Sequence, residues 1–424
     1  MGIVADLLRD VQLPKMAPIA QRFDSTHIEI EAIPELVREQ LNRPEIACSF
    51  KPGMEVAVTV GSRGISNIAL IIKSIADTLK SFGVTPFVVP AMGSHGGATA
   101  AGQRGVIEAY GVTEDYIGCE IRSSMETVEI GKTANGMPVR IDKNAYEADG
   151  IVVCGRVKPH TGFRGPYESG IMKMMAIGLG KQYGAEIIHA DGFGRLKEYI
   201  PLYGNAILDN AKVLCGLALL ENAYDQTREI ISLTPQEIRE QEPELLNRAK
   251  SYMPRILFDA CDVLVVDRIG KNISGDGMDP NISGRFPAPY ADGGINAQRV
   301  AVLALTEETH GNACGIGLAD CTTRRLFQQM DLEQTYPNVI TNTVVGEVKI
   351  PMIMENDKLA IQLALKSCNE IDRLHPRIIH IHTTLDMEHI EISEALLEEA
   401  SANPDIEILG EPKPFPFDED GNLF

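Results

Sequence analysis

The chain has no tryptophan, and Phe and Tyr together make up only 5% of its 424 residues. No large aromatic anchor therefore marks an interface. Positive charge is also scarce: 39 Lys and Arg stand against 59 Asp and Glu, a formal net charge of −20. That balance excludes nucleic acid as a partner class, because binding phosphate backbones takes a surplus of basic side chains. The eight cysteines form no C-x-x-C pair, and several lie in apolar runs, as Cys154 does in IVVCGRV and Cys261 in LFDACDVLVV. Buried reduced thiols are expected, not disulfides or a zinc site. No run reaches the roughly 18 apolar residues of a membrane span. Met1–Pro14 carries acids and lacks the apolar core of an export signal. The expectation is a cytoplasmic protein with no membrane partner.

What remains is the composition of a folded protein, 44% hydrophobic and 23% charged with no low-complexity tract. The length exceeds one ordinary core, so two domains are expected. An N-terminal α/β domain is assigned to 1–235, a polar hinge helix to 236–258, and a C-terminal α/β domain to 259–390. A return helix follows over 391–401, and a Pro-rich tail (402–424) is expected to pack on the first domain. MEVAVTV (54–60) is an apolar strand ending in Gly61-Ser62-Arg63-Gly64. Ser66 can cap the following helix, in which Ile68, Ile71, Ile72, Ile75 and Leu79 recur at helical spacing and Gly83 stops the run. TPFVVP (85–90) is the next strand, ending in Gly93-Ser94-His95-Gly96-Gly97. Irregular β structure is expected over 117–147, and DGIVVCGRV (149–157) is a strand that delivers Lys158-Pro159-His160. ACDVLVVDRIG (260–270) opens the second domain, with further strands over 299–305, 339–344 and 378–382.

Arg63 and His95 thus occupy equivalent places in two successive strand–turn–helix units. In a parallel sheet such turns gather at the carboxyl ends of the strands, where ligands bind. Glycine turns opening a helix also suit phosphate, although neither is a Walker or Rossmann fingerprint. His95 is flanked by glycines and His160 follows a strand end, and imidazole is the side chain best suited to proton transfer near neutral pH. His189 closes the apolar run AEIIH, where a satisfied core histidine is as fair a reading as a functional one. Lys173 lies in Gly-Ile-Met-Lys-Met-Met-Ala-Ile-Gly, where lost hydration favours the neutral, nucleophilic amine over a snorkelling cation. Over 151–181 five cations (Arg156, Lys158, Arg164, Lys173, Lys181) face Glu168 alone, a local attraction for an acid despite the acidic whole. His380 and His382 alternate on a strand and could chelate a metal, but no third ligand accompanies them.

An Arg in a glycine turn, a Gly-x-His turn, a Pro-His strand end, a lysine, and a histidine sixteen residues after it: this order resembles the nickel-dependent lactate racemase family. The resemblance implies two α/β domains with a cofactor cleft between them. It implies a nickel pincer, pyridinium-3,5-bisthiocarboxylic acid mononucleotide, covalently attached through Lys173, with His189 as the protein ligand to nickel. By the same resemblance His95 and His160 are the acid/base pair. Arg63, with Ser62, Gly96 and Gly97, contacts the cofactor, and Arg63, Lys271 or Arg285 holds the substrate carboxylate. The implied activity is racemisation or epimerisation of a 2-hydroxy acid, with cofactor maturation enzymes as partners. The hydride route avoids a carbanion at an unacidic C2–H, and two imidazoles on opposite faces serve either enantiomer.

The chain departs from the family in its first loop, which reads Val60-Gly61-Ser62-Arg63-Gly64 where the family has Asp-x-Thr-Arg-Pro. The span from His160 to Lys173 is slightly longer, and the second domain shows no clean counterpart of the family's substrate-binding Gln and Lys. A divergent member with a substrate other than lactate is expected. The competing readings are a metal-dependent hydrolase or lyase with His95, His160 and His189 as direct ligands, and a non-catalytic metabolite-binding protein. The second leaves the histidines and Lys173 without a task.

Overall fold

A computed structural model describes residues 2–62 and 64–424. The chain divides into two compact units, one built from residues 1–23 and 254–424, the other from 24–253.

The 24–253 unit is a six-stranded sheet of β1 (Glu55–Val60), β2 (Thr85–Pro90), β3 (Glu120–Ile121), β4 (Gly150–Arg156), β5 (Val213–Glu221) and β6 (Thr227–Leu233), in the order β3-β2-β1-β4-β5-β6. The first five run parallel and β6 is antiparallel to β5. Helices cover the sheet, so the parallel strands are buried on both faces and read as unbroken apolar runs rather than alternating ones. Ile151, Val152, Val153 and Cys154 of β4 are all buried. Helix α1 (Ile68–Ser81) lays Ile71, Ile72, Ile75 and Leu79 on this core. Its first residue is preceded by Asn67 in a left-handed conformation with no side-chain cap. Ser66 does not cap it: the cap position falls on Asn67, and the Ser66 Oγ accepts from the Asn67 side-chain amide at 3.3 Å. The irregular stretch after β3 contains a two-stranded hairpin, Thr127–Lys132 with Pro138–Asp142.

The other unit is an eight-stranded mixed sheet. Its order is Met352–Met354, Cys321–Thr323, Asn296–Leu305, Ala260–Ile269, Ile378–Ile381, His389–Ser393, Met16–Gln21 and Ile406–Ile408.

The boundaries differ from the sequence-based ones in five places, four of them in this second unit. The first 23 residues join the second unit, because Met16–Gln21 pairs with His389–Ser393. The stretch expected as a return helix over 391–401 starts inside that strand and becomes helical only at Glu394. The tail lies on the second unit, not the first: Met16 pairs with Lys413, and the Phe424 ring sits against Arg268 and Arg325. Residues 339–344, a β-branched run expected as a strand, end the helix Leu332–Asn342, which Asp331 caps through the N–H groups of Glu333 and Gln334.

The expected hinge is part of the first unit's core. Helix α2 (Pro235–Tyr252) begins with a complete capping box, Thr234 on the Glu237 N–H and Glu237 on the Thr234 N–H. It buries Ile238, Leu245, Leu246 and Ala249. A Cβ added at Gly216 of β5 would stand 3.1 Å from Ile238 Cδ1, so the helix lies directly on the sheet. Replacing Thr234 with Ala should cost about 1 kcal/mol of stability in urea denaturation. An unchanged midpoint would show that the box does not hold this helix.

Candidate functional site

A doubly wound sheet binds ligands at the carboxyl ends of its strands, where the strand order reverses. Here the reversal falls at β1, which has β2 on one side and β4 on the other. The loops after β1, β2 and β4 are Gly61–Gly64, Ala91–Ala98 and Val157–Gly170. They hold Ser62, His95 and His160. Arg63 lies outside the described residues. The Ser62 carbonyl accepts from the Tyr110 hydroxyl at 3.1 Å.

Lys173 ends a helical turn, Ile171–Lys173, that continues as a π-helix over Met174–Leu179, a rare form concentrated at functional sites. Two glycines at the strand ends and one within the segment itself allow this packing. A Cβ at Gly61 would stand 2.9 Å from Met174 Cε, one at Gly155 3.1 Å from the same atom, and one at Gly178 2.6 Å from the Ala91 carbonyl oxygen. The segment is thereby pressed under the ends of β1, β2 and β4. The helix that follows, Lys181–His189, carries His189 at its last residue.

The histidines are held in defined tautomers. His189 Nδ1 donates to the Ala185 carbonyl at 2.7 Å, leaving the lone pair on Nε2, the arrangement of a metal-ligating imidazole. His95 Nδ1 lies 2.8 Å from the Met92 carbonyl, which likewise leaves Nε2 as an acceptor, and the ring is exposed. His160 is the reverse. Its Nδ1 accepts the Gly162 N–H at 3.0 Å, so the proton of the neutral ring is on Nε2. His160 is buried against Phe163 and Phe193, with ring centroids 4.5 and 5.8 Å away, and His189 meets the same Phe193 edge-on at 5.9 Å.

Electrostatics agree with this placement. Burial, then the charges of Lys173 and His189, hold the His160 imidazole well below its ordinary value. Burial also lowers His189, against the Ala185 hydrogen bond and with help from Lys173. The structure therefore brings His160, Lys173 and His189 within electrostatic reach of one another. It seats the His95 turn on the same segment, through the Gly93 N–H to the Gly178 carbonyl (3.2 Å).

Several further residues build the site. Lys181 is fully buried with Asp142 at 3.1 Å, and its amine donates to the Pro90 carbonyl and to Gln103 Oε1. Gln103 in turn donates to the Gly93 and His95 carbonyls. Lys181 is thus an anchor for the His95 turn rather than part of an anion-attracting cluster. Arg156 and Arg164 are likewise paired, with Glu221 and Glu168. Gly96 has no room for a Cβ, which would meet the Gln103 backbone at 2.6 Å, whereas nothing lies within 4 Å of one at Gly97. Gly97 is therefore the open approach in this turn.

The second-unit candidates fare differently. Arg285 is engaged with Asp320 at 2.8 Å and with the Ala297 and Gln298 carbonyls. Lys271 donates to the Gly275 carbonyl. His380 lies between Asp267 and Glu391, each at 2.7 Å, and His382 shares Asp267. Burial lowers the His380 imidazole, but these hydrogen bonds outweigh it and raise it to about 9. A ring protonated and bonded at both nitrogens is not a metal ligand. Among the described residues, no group of three or more His, Cys, Asp or Glu side chains is placed to hold a metal ion, and no helix is long and apolar enough to cross a membrane.

Two imidazoles lowered by burial and a half-buried lysine are thus gathered at the switch point of a doubly wound α/β domain. Residues 10–193 match the model of the lactate racemase N-terminal domain. The lactate racemase apoprotein from Thermoanaerobacterium thermosaccharolyticum is similar at 14% identity, with 81% of this chain and 88% of that one covered and a TM-score of 0.44. A Thermotoga maritima protein from a structural genomics consortium is similar at 12% identity, with 77% and 84% covered and a TM-score of 0.47. No curated protein matches the chain.

Both site imidazoles should stay neutral where a free one is half protonated. The unfolded chain then binds protons that the folded one does not, so their contribution to stability falls as pH drops below about 6.5. Nitrogen NMR of the apoprotein at that pH should show His160 with its proton on Nε2 and His189 with its proton on Nδ1. An imidazolium pattern for either ring would contradict the geometry.

Proposed function

We propose that the chain is a racemase or epimerase of a 2-hydroxy acid that carries a nickel pincer nucleotide on Lys173. One observation carries the reading: a desolvated His189, its lone pair on Nε2, lies within the field of Lys173 at the switch point of a lactate racemase N-terminal domain. The residues fit such a group. No set of three described side chains is placed to hold a metal, so nickel at His189 needs donors from a bound molecule, which is what the pincer's sulfurs and ring carbon offer. The same fact disfavours His95, His160 and His189 as joint direct ligands of a hydrolytic metal. Gly97 leaves room for a phosphate-bearing molecule to approach the backbone.

When bound, the pincer would supply an electrophilic carbon that takes hydride from C2 and returns it. The side chains handle the rest. His95, exposed and with Nδ1 turned to the Met92 carbonyl, takes the hydroxyl proton at Nε2 as the C2–H bond breaks, and returns it to the oxygen when hydride comes back on the other face. His160 offers Nε2–H to the same oxygen as a neutral hydrogen-bond donor. It does not act as a second base here, because a proton on Nδ1 would displace the Gly162 N–H and burial beside Lys173 opposes the cation. The pair is thus unequal, unlike the symmetric scheme expected from the sequence. Phe163 and Phe193 keep water from the buried imidazole. Lys173 would hold the cofactor covalently, which calls for cofactor-forming enzymes as partners.

The test is intact mass, metal content and turnover of a panel of 2-hydroxy acids, on protein co-expressed with a pincer-forming pathway. Wild type should carry an adduct on Lys173 and nickel, and Lys173→Ala should carry neither and fall to background turnover. His95→Ala should lose roughly 100- to 10,000-fold in turnover. Normal activity in Lys173→Ala sinks the mechanism.

A further inference from the structure

Helix α2 reaches both halves of the candidate site with two polar side chains that the mechanism above does not use, the buried Glu242 and the exposed Lys250. Glu242, 1% exposed, accepts the backbone N–H of Met172 at 3.0 Å and that of Ile171. These are the first two N–H groups of the turn that ends at Lys173. Gly170 makes this contact possible, since a Cβ there would lie 2.1 Å from Glu242 Oε1. Two turns further along the same helix, Lys250 donates to Glu168 Oε1 at 2.7 Å. The other oxygen of Glu168, itself 1% exposed, accepts the His160 N–H at 2.7 Å. One turn before Glu242 on the same helix, the Arg239 carbonyl accepts from the Tyr167 hydroxyl at 2.5 Å. The loop closes on itself through the Lys158–Ser169 bridge, at 2.9 and 3.1 Å. The backbone bearing His160 and the backbone bearing Lys173 are therefore both attached to one helix, about 12 Å apart along its axis.

The cost of these attachments is the reason to assign them a task. An acid sealed in the core is unfavourable, and burial raises the Glu242 carboxyl to about 8 despite the two N–H groups it accepts. An apolar residue of similar size would pack there more cheaply but would leave the opening N–H groups of a buried turn without partners. Only an acceptor fixes where that turn starts, and so where Lys173 points.

We propose that Glu242 is a positioning residue for Lys173, holding its amine in register with His160, whose loop the same helix holds through Lys250 and Glu168. The proposal rests on the reading of Lys173 as the cofactor-bearing amine. Two readouts separate the failure of one from the failure of the other.

The first readout uses the full-length apoprotein. Wild type, Glu242→Gln and Glu242→Leu are acetylated with N-hydroxysuccinimidyl acetate, and the rate at Lys173 relative to exposed Lys358 is read by peptide mass. Gln keeps an acceptor oxygen and should label as wild type does. Leu keeps the bulk, loses the acceptor, and should label Lys173 at least about fivefold faster, the equivalent of one lost buried hydrogen bond. Thermal midpoints are measured on the same samples, and the comparison is made well below them. The second readout is the fraction of chains carrying the adduct after co-expression with the cofactor pathway, expected to fall in Leu and to be rescued in Gln. Equal labelling and equal loading in a folded Glu242→Leu protein would overturn the proposal while leaving the function intact. If Gln behaves as Leu does, the acceptor role is overturned as well. If wild type itself acquires no adduct, the function fails and the labelling comparison still decides the positioning.

Discussion

Neighbouring parallel strands end on the same edge of their sheet, and everything proposed for this chain depends on that constraint. β2, β1 and β4 lie side by side, so their following loops converge without any of them being long. The segment holding Lys173 is then drawn beneath those ends by a packing requirement. Met174 fills the space that Gly61, Gly155 and Gly178 leave open. Filling one of those glycines would push the segment off the sheet, and Lys173 and His189 would move with it. The site is in this sense a consequence of how the sheet edge is capped.

Burial then sets the protonation states. His160 and His189 are both lowered by desolvation and by the same lysine charge, and each is tied at Nδ1, one as acceptor and one as donor. Opposite tautomers in two neighbouring neutral rings give them opposite capacities at Nε2: one presents a proton and the other a lone pair. His95 is in the same tautomer as His189 but exposed, and the proposed function gives it the proton transfer for that reason. The division of labour comes from which backbone group each Nδ1 meets.

Much of this was legible in the sequence. Parallel strands write themselves as unbroken apolar runs, so β1, β2 and β4 and the turns behind them could be located, with Ser62, His95 and His160 in place. The sixteen-residue step from Lys173 to His189 carried the resemblance that the 10–193 match bears out. What could not be read was anything held by a distant backbone. Glu242 acts on N–H groups seventy residues away, and its helix buries a single stripe (Ile238, Leu245, Leu246, Ala249) among glutamates and glutamines, so it passed for a polar hinge. Lys181 looked like part of a basic cluster because its partner, Asp142, comes from a hairpin whose position sequence spacing does not reveal. The run at 339–344 misled through its β-branched composition, which the Asp331 cap and the tertiary setting override.

The central claim is that His189 Nε2 is the protein's own donor to nickel while Lys173 carries the rest of the ligand set. Nickel content and the Lys173 adduct, measured separately on wild type and His189→Ala made alongside a pincer-forming pathway, test it most directly. The account predicts the adduct in both proteins and nickel retained only by wild type. Nickel held equally well by His189→Ala, or an adduct on some other lysine, would contradict it.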